Sequence, residues 1–179
     1  MKGEKMINLI NLDKTTIKEK VKELYITEFP KYERYPFWFL IYKSKKENSD
    51  FYVIYDDTEY IGLLYLTHYK DIVYIFYLAI DPVQQSKGYG SEILHYLTQM
   101  YKDKRLLLNI EKVDPSADNY KQRSKRKNFY EKNGFKNTNF EIEKKDIVYE
   151  ILFSGKEVYE YEYDALFKSY LGKILNVFI

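Results

Sequence analysis

Apolar and polar positions along this chain switch between helical spacing and strand-like runs, and the switches mark out the elements. Ile7–Leu12 reads as a short strand. Ile17, Val21, Leu24 and Tyr25 then recur at helical spacing. Thr16 and Glu19 fit a capping box ahead of them, and Pro30 closes the segment. Pro36 suits the first turn of a second helix over Pro36–Lys46, with Phe37, Leu40 and Ile41 on one face. Phe51–Tyr55 and Tyr60–His68 flank the polar stretch Asp56–Glu59 and predict a hairpin. A second turn, Tyr69–Asp71, leads into Ile72–Ile80, nearly all apolar, as expected of a central strand covered on both faces. Asp81-Pro82 ends it, because the residue before proline is pushed out of helical space.

Gly88-Tyr89-Gly90 opens a helix whose Ile93, Leu94, Leu97 and Tyr101 share a face. Arg105–Glu111 predicts another strand, followed by a loop over Lys112–Asp118. A helix from about Asn119 to Lys132 stops at Asn133-Gly134. Phe135 begins a return, and Asp146–Phe153 is the last clear strand. Tyr163, Leu166, Phe167, Tyr170, Leu171 and Ile174 line one face of a C-terminal helix. The order β-α-α-β-β-β-α-β-α-β-β-α is that of an α/β sheet with helices packed on it, and 179 residues suit one domain, 1–179.

Composition narrows the chemistry. With 29 basic and 27 acidic residues the net charge is +2, too balanced to imply nucleic-acid binding. The basic run Lys121–Lys127 reads equally as a phosphate contact or as one solvated helix face. There is no cysteine, which excludes disulfides, Cys-based zinc sites and a Cys nucleophile. Two histidines, His68 and His95, are too few for a His-rich metal site and read as structural, so no metal is expected. No apolar run approaches the ~20 residues of a membrane span, and the start of the chain is too short and polar for a signal sequence, so a cytoplasmic location is expected.

The informative stretch is Leu78-Ala-Ile-Asp-Pro-Val-Gln-Gln-Ser-Lys-Gly-Tyr-Gly-Ser91. A buried strand gives way to a polar loop, and two glycines lead into a helix. Free N–H groups at a helix start attract anions. Gly88 and Gly90 let the backbone approach a phosphate, and Lys87 adds a mobile cation. A pyrophosphate cradle is the expectation. A P-loop would need Gly-x4-Gly-Lys-Ser/Thr, which the chain lacks. A dinucleotide fingerprint would need a small residue where Ile93 stands.

What remains, Gln85-x-x-Gly88-x-Gly90, resembles the acetyl-CoA loop of the GNAT N-acetyltransferases. Phe129-Tyr130-x-x-x-Gly134-Phe135 is similar to the family's second signature and follows the fifth strand in the expected order. The likeness covers roughly Tyr52 to Phe153. Arg123 and Arg126 stand where many members have Asn and Ala. In this, and in Phe29-Pro30…Glu33-Arg34-Tyr-Pro36-Phe37-Trp38, the chain resembles a bacterial subgroup of the family.

The resemblance implies a mixed, mostly antiparallel twisted sheet with a splayed central strand pair, helices on both faces and an extra C-terminal helix. The core would be about 7–153, with a helical extension at about 158–177. It implies acetyl-CoA as co-substrate, bound by Gln85, Ser86, Lys87, Gly88, Tyr89, Gly90 and Ser91. Backbone groups of Leu78, Ala79 and Ile80 would pair with the pantetheine chain, and one N–H there would polarise the thioester carbonyl. Asn119, Arg126 and Asn128 are further candidates for contact with the cofactor. Tyr130 is the candidate general acid, since a phenol within reach can protonate a departing thiolate. Glu33 is the first candidate base and Glu111 the second, each equally readable as a solvated or salt-bridged carboxylate. Tyr32, Tyr35, Phe37 and Trp38 read as core packing or as the lining of an acceptor pocket.

The leading expectation is therefore acetyl transfer to a primary amine, of a small molecule or a peptide, by direct attack in a ternary complex. The chain would act without nucleic acid or membrane, as a monomer or homodimer. An acyl-CoA-binding module without catalysis is the alternative, and nucleic-acid binding through the Arg/Lys helix a third reading.

Overall fold

The computed structural model describes residues 5–46 and 48–172. Among the described residues, seven strands form one mixed sheet in the order β1-β2-β3-β4-β5-β7-β6, with five α-helices. The strands are β1 (Ile7–Asn11), β2 (Ser49–Asp56), β3 (Glu59–Tyr69), β4 (Ile72–Ile80), β5 (Arg105–Glu111), β6 (Lys136–Lys144) and β7 (Ile147–Ser154). The helices are α1 (Lys18–Glu28), α2 (Phe37–Ser44), α3 (Tyr89–Met100), α4 (Tyr120–Lys132) and α5 (Glu160–Leu171). This is the element order expected from the sequence. Ile174, placed on the C-terminal helix by its spacing, lies outside the described residues.

Two compact units divide the chain, one of residues up to 67 with 75–100, the other of 68–74 with residues from 101 onward. In the first unit β1, β2 and β3 form an antiparallel meander, with Ile7 opposite Asp56 and Ser49 opposite Thr67. Val21, Leu24 and Tyr25 of α1, Phe39 and Leu40 of α2, and Ile93, Leu94 and Leu97 of α3 are buried with the apolar positions of the strands. Each such side chain contributes roughly 2 kcal/mol on burial. In the second unit β5, β7 and β6 are antiparallel, and α5 buries Tyr163, Leu166, Tyr170 and Leu171.

Three local expectations are corrected. Thr16 caps nothing: the residue ahead of α1 is Ile17, and no side chain bonds the helix start. The second helix is shorter than Pro36–Lys46, because Pro36 is its N-cap and the chain leaves the helix after Ser44. The run Ile72–Ile80 is buried on both faces only over Ile72–Ile75; beyond it Phe76, Leu78 and Ile80 are part-exposed on one face while Tyr77 and Ala79 stay buried on the other. The parallel ladder between β4 and β5 spans Ile72–Tyr74 against Arg105–Leu107, and β4 runs on to Ile80.

Candidate active site

The first unit carries the loop after β4. Asp81 ends the strand by two bonds: its N–H donates to the Ile61 carbonyl at 2.8 Å, and its carboxylate accepts from the Val83 N–H at 3.1 Å. A 3-10 turn over Pro82–Gln84 follows. Gln85 then folds back, its side-chain amide donating to the Ile80 carbonyl at 3.1 Å. The glutamine of the loop signature is thus a strap between strand end and loop. Gln84 is buried and donates to Glu59 at 2.6 Å, while Lys87 Nζ donates to the Gln84 amide oxygen at 2.8 Å.

Between Gln85 and α3 the backbone is exposed and partly left-handed, with φ 64° at Ser86 and 85° at Gly88. Such a conformation costs glycine nothing and disfavours side chains. Among the described residues the N–H groups of Ser86, Lys87 and Gly88 donate to no acceptor. The N–H groups of Tyr89, Gly90 and Ser91, ahead of the first helical bond from Glu92 to the Gly88 carbonyl at 3.3 Å, have no intrahelical partner either. A row of unpaired donors on an exposed turn at a helix start is an anion receptor by construction. These residues therefore fit the diphosphate of coenzyme A. Tyr89 is buried and donates to Asp56 at 2.8 Å. Burial and that carboxylate push its phenol to about 12, so its hydroxyl is a neutral anchor of α3.

Glycine serves a second purpose beside this loop. A Cβ on Gly62 of β3 would lie 2.0 Å from the Ala79 carbonyl oxygen. Only glycine lets β3 approach β4 so closely at the strand end that leads into this loop.

Glu33 lies in the turn between α1 and α2, where buried tyrosines grip the main chain. Tyr77 of β4 donates to the Glu33 carbonyl at 2.9 Å and accepts from the Tyr35 N–H at 3.1 Å. Tyr25 donates to the Tyr35 carbonyl at 2.9 Å. Desolvation raises both phenols far above the ordinary tyrosine value, so they remain neutral hydrogen-bonding groups. Tyr35 belongs to the core, whereas Tyr32 and Trp38, 42% and 67% exposed, stand at the surface.

The second unit carries the remaining candidates. Glu111 is buried and accepts from the Asn119 amide at 3.1 Å and from Arg123 at 3.4 Å. Arg123 also donates to the Asn119 side-chain oxygen at 2.6 Å and to the Lys112 carbonyl at 3.0 Å. Both polar atoms of Asn119 are thereby engaged, and Arg123 fastens the start of α4 to the end of β5. Lys127 reaches the buried Glu150 at 2.5 Å. No residue of α4 is fully buried, and these charged contacts tie it down alongside the ring contact of Tyr130 with the buried Phe135 at 5.6 Å. Arg126 and Tyr130 are part-buried, and Asn128 is exposed. Desolvation raises the Tyr130 phenol above its ordinary value, and the Arg126 cation pulls it partly back.

Comparison with known proteins decides the family. The model for the acetyltransferase (GNAT) domain matches residues 47–137, half of the chain. The chain belongs to the GNAT acetyltransferase family. Its acyl donor is acetyl-CoA, the co-substrate of that family. No curated protein sequence matches it. Solved GNAT structures share its fold at low identity. A GNAT-family protein from Bacteroides thetaiotaomicron has a TM-score of 0.75 at 20% identity, over 94% of this chain and 97% of its own. An aminoglycoside 6'-N-acetyltransferase complexed with coenzyme A has a TM-score of 0.65 at 15% identity, over 83% and 96%. The ribosomal-protein-S18-alanine N-acetyltransferase from Escherichia coli has a TM-score of 0.58 at 16% identity, over 86% and 99%.

The sequence singled out this GNAT's glycine loop and its Tyr130 segment. It gave no notice of Gly62 or of the Tyr77 clamp. A glycine inside an apolar strand was the available signal for the first. The second has none, because the bonds join positions far apart in the chain.

Proposed function

We propose that this GNAT acetylates a primary amine by direct attack on the thioester, with Gln85–Ser91 binding the diphosphate of acetyl-CoA. The observation that carries the reading is the run of unpaired N–H donors at Ser86, Lys87 and Gly88, on an exposed turn at the start of α3. Acetyl-CoA supplies an electrophilic carbonyl carbon and a thiolate leaving group. The chain's residues bind, orient and move protons. Leu78, Ala79 and Ile80 offer the backbone of the β4 end beyond the ladder to β5, and the part-exposed Leu78 and Ile80 side chains suit a strand end that meets a ligand. An N–H there stabilises the charge that grows on the carbonyl oxygen.

Glu33, in the turn held by Tyr77 and Tyr25, takes the proton that an ammonium must lose before it attacks; Glu111 is the second candidate. The C–N bond forms, the C–S bond breaks, Tyr130 protonates the departing sulfur, and the second proton, shed by the nitrogen as it becomes an amide, restores the phenol. The Tyr130 phenol keeps its proton throughout the neutral range and so has one to give, while burial makes it a weaker acid than a free tyrosine and the Arg126 cation offsets part of that. Asn119 and Asn128 as cofactor contacts receive less support, the first being engaged with Glu111 and Arg123 and the second standing exposed. Arg126 is the better placed of the three to meet a phosphate, being a part-buried cation.

Thiol release from acetyl-CoA across a panel of peptide, polyamine, aminoglycoside and small-metabolite amines tests the reading. Amine-dependent release is expected. Tight binding of coenzyme A with no release for any amine would make the chain an acyl-CoA-binding module instead.

A further inference from the structure

The cradle has a support that neither glycine nor helix start explains. Lys5 precedes β1, yet its ammonium reaches the loop and donates to the Lys87 carbonyl at 2.6 Å. It lies 4.3 Å from the centroid of the Tyr89 ring, a cation over an aromatic face. A Cβ on Gly88 would come within 3.2 Å of the same nitrogen. Lys5 is part-buried and pairs with no carboxylate among the described residues. Its charge is therefore directed at the loop.

The peptide unit makes this contact consequential. A trans peptide is planar, with its C=O and N–H on opposite sides. Holding the Lys87 carbonyl toward Lys5 turns the Gly88 N–H the other way. That N–H is one of the three without an acceptor. Without the ammonium, the Lys87–Gly88 unit, exposed and followed by a glycine, is free to rotate its donor out of line. Tyr89, fixed by Asp56, keeps the ring under the ammonium in place. The same carboxylate accepts from the Met6 N–H at 2.7 Å, so the residue after Lys5 is tied to the same anchor.

We propose that Lys5 is a positioning residue of the acetyl-CoA cradle: by holding the Lys87 carbonyl it aims the Gly88 N–H at the diphosphate. This rests on the assignment of the loop to acetyl-CoA. Lys5→Met keeps the stem and removes the donor; Lys5→Arg keeps a donor. Calorimetric titration of the full chain with coenzyme A and with dephospho-coenzyme A, together with steady-state kinetics on an active amine, measures the effect.

Lys5→Met should weaken both ligands roughly five- to tenfold, the worth of about one ordinary hydrogen bond. The KM for acetyl-CoA should rise alike with kcat unchanged, Lys5→Arg should recover most of the loss, and the melting temperature should stay put. Unchanged affinity in Lys5→Met overturns the proposal. So does a loss confined to coenzyme A, which would mean direct contact with the extra phosphate, and so does a fall of kcat and melting temperature together. Gly88→Val separates the two levels. If it binds coenzyme A undiminished, the cradle assignment falls and takes Lys5 with it. If it abolishes binding while Lys5→Met binds as wild type, only the role of Lys5 is lost.

Discussion

At the scale of single residues, the candidate site depends on groups whose worth lies in what they leave open. Gly62 leaves room for the Ala79 carbonyl, so Gly62→Ala would force β3 and β4 apart at the strand end. We expect about 2–3 kcal/mol of destabilisation, as for an overpacked core, measured by urea unfolding; a change below about 0.5 kcal/mol would show that the strands part freely. Tyr130 is a question of proton supply. Tyr130→Phe should lower turnover on the order of 100-fold, within the usual range for a general acid, with the affinity for acetyl-CoA nearly unchanged. Because its pKa is raised, any alkaline loss of kcat that comes from Tyr130 should have its midpoint above the ordinary value of 10.0. Equal turnover in the variant removes Tyr130 from the acid role. Gly88, Gly90 and Tyr130 were legible because each sits in a short motif. Lys5 was not, since its bond to Lys87 spans 82 positions and no local pattern encodes it.

At the scale of elements, two connections carry testable weight. The turn before α2 hangs on Tyr77, whose hydroxyl serves Glu33 on one side and Tyr35 on the other. Tyr77→Phe strands both backbone groups, and a loss of about 1–3 kcal/mol follows; if Glu33 is the base, kcat should fall as well while the KM for acetyl-CoA holds. In the second unit Arg105, at the start of β5, binds Asp71 through two nitrogens at 2.8 and 2.7 Å and Glu162 of α5 at 2.9 and 2.7 Å. Hydrogen bonds from Arg105 hold both carboxyls below their ordinary values of 3.8 and 4.5. Folded-state values lower than unfolded ones give stability that is present above pH 4.5 and drains away as pH falls further. Arg105→Leu should cost about 2 kcal/mol at neutral pH, mostly through Glu162 because Asp71 is screened by solvent. The variant should also show a flatter decline in melting temperature between about pH 5 and 3. A parallel decline in both proteins would remove Arg105 from acid stability. The starts of α3 and α4 were legible, that of α1 was not: Thr16 and Glu19 had the right spacing, but the chain enters α1 at Ile17 and leaves that box unmade.

For the molecule as a whole, the order of elements was legible because apolar spacing changes cleanly from one to the next. Strand order was not, because β7 inserts between β5 and β6 and local patterning is silent on which neighbour a strand chooses. Patterning also overstated the burial of β4, since an apolar run looks the same whether both of its faces are covered or one is part-exposed. The Arg-rich fourth helix was the ambiguous segment, open to reading as a phosphate contact or a wet surface. The structure gives Arg123 and Lys127 a third use, fixing the helix through Glu111 and Glu150. A helix tethered largely through part-buried ion pairs should gain less from sulfate than its oilier neighbours, because that salt strengthens apolar burial and screens such pairs only weakly. As sulfate rises, backbone amides of α3 should slow their exchange with deuterium more than those of 120–132, so that one solvent change tightens two helices unequally; equal slowing would show that both rest on the same kind of packing.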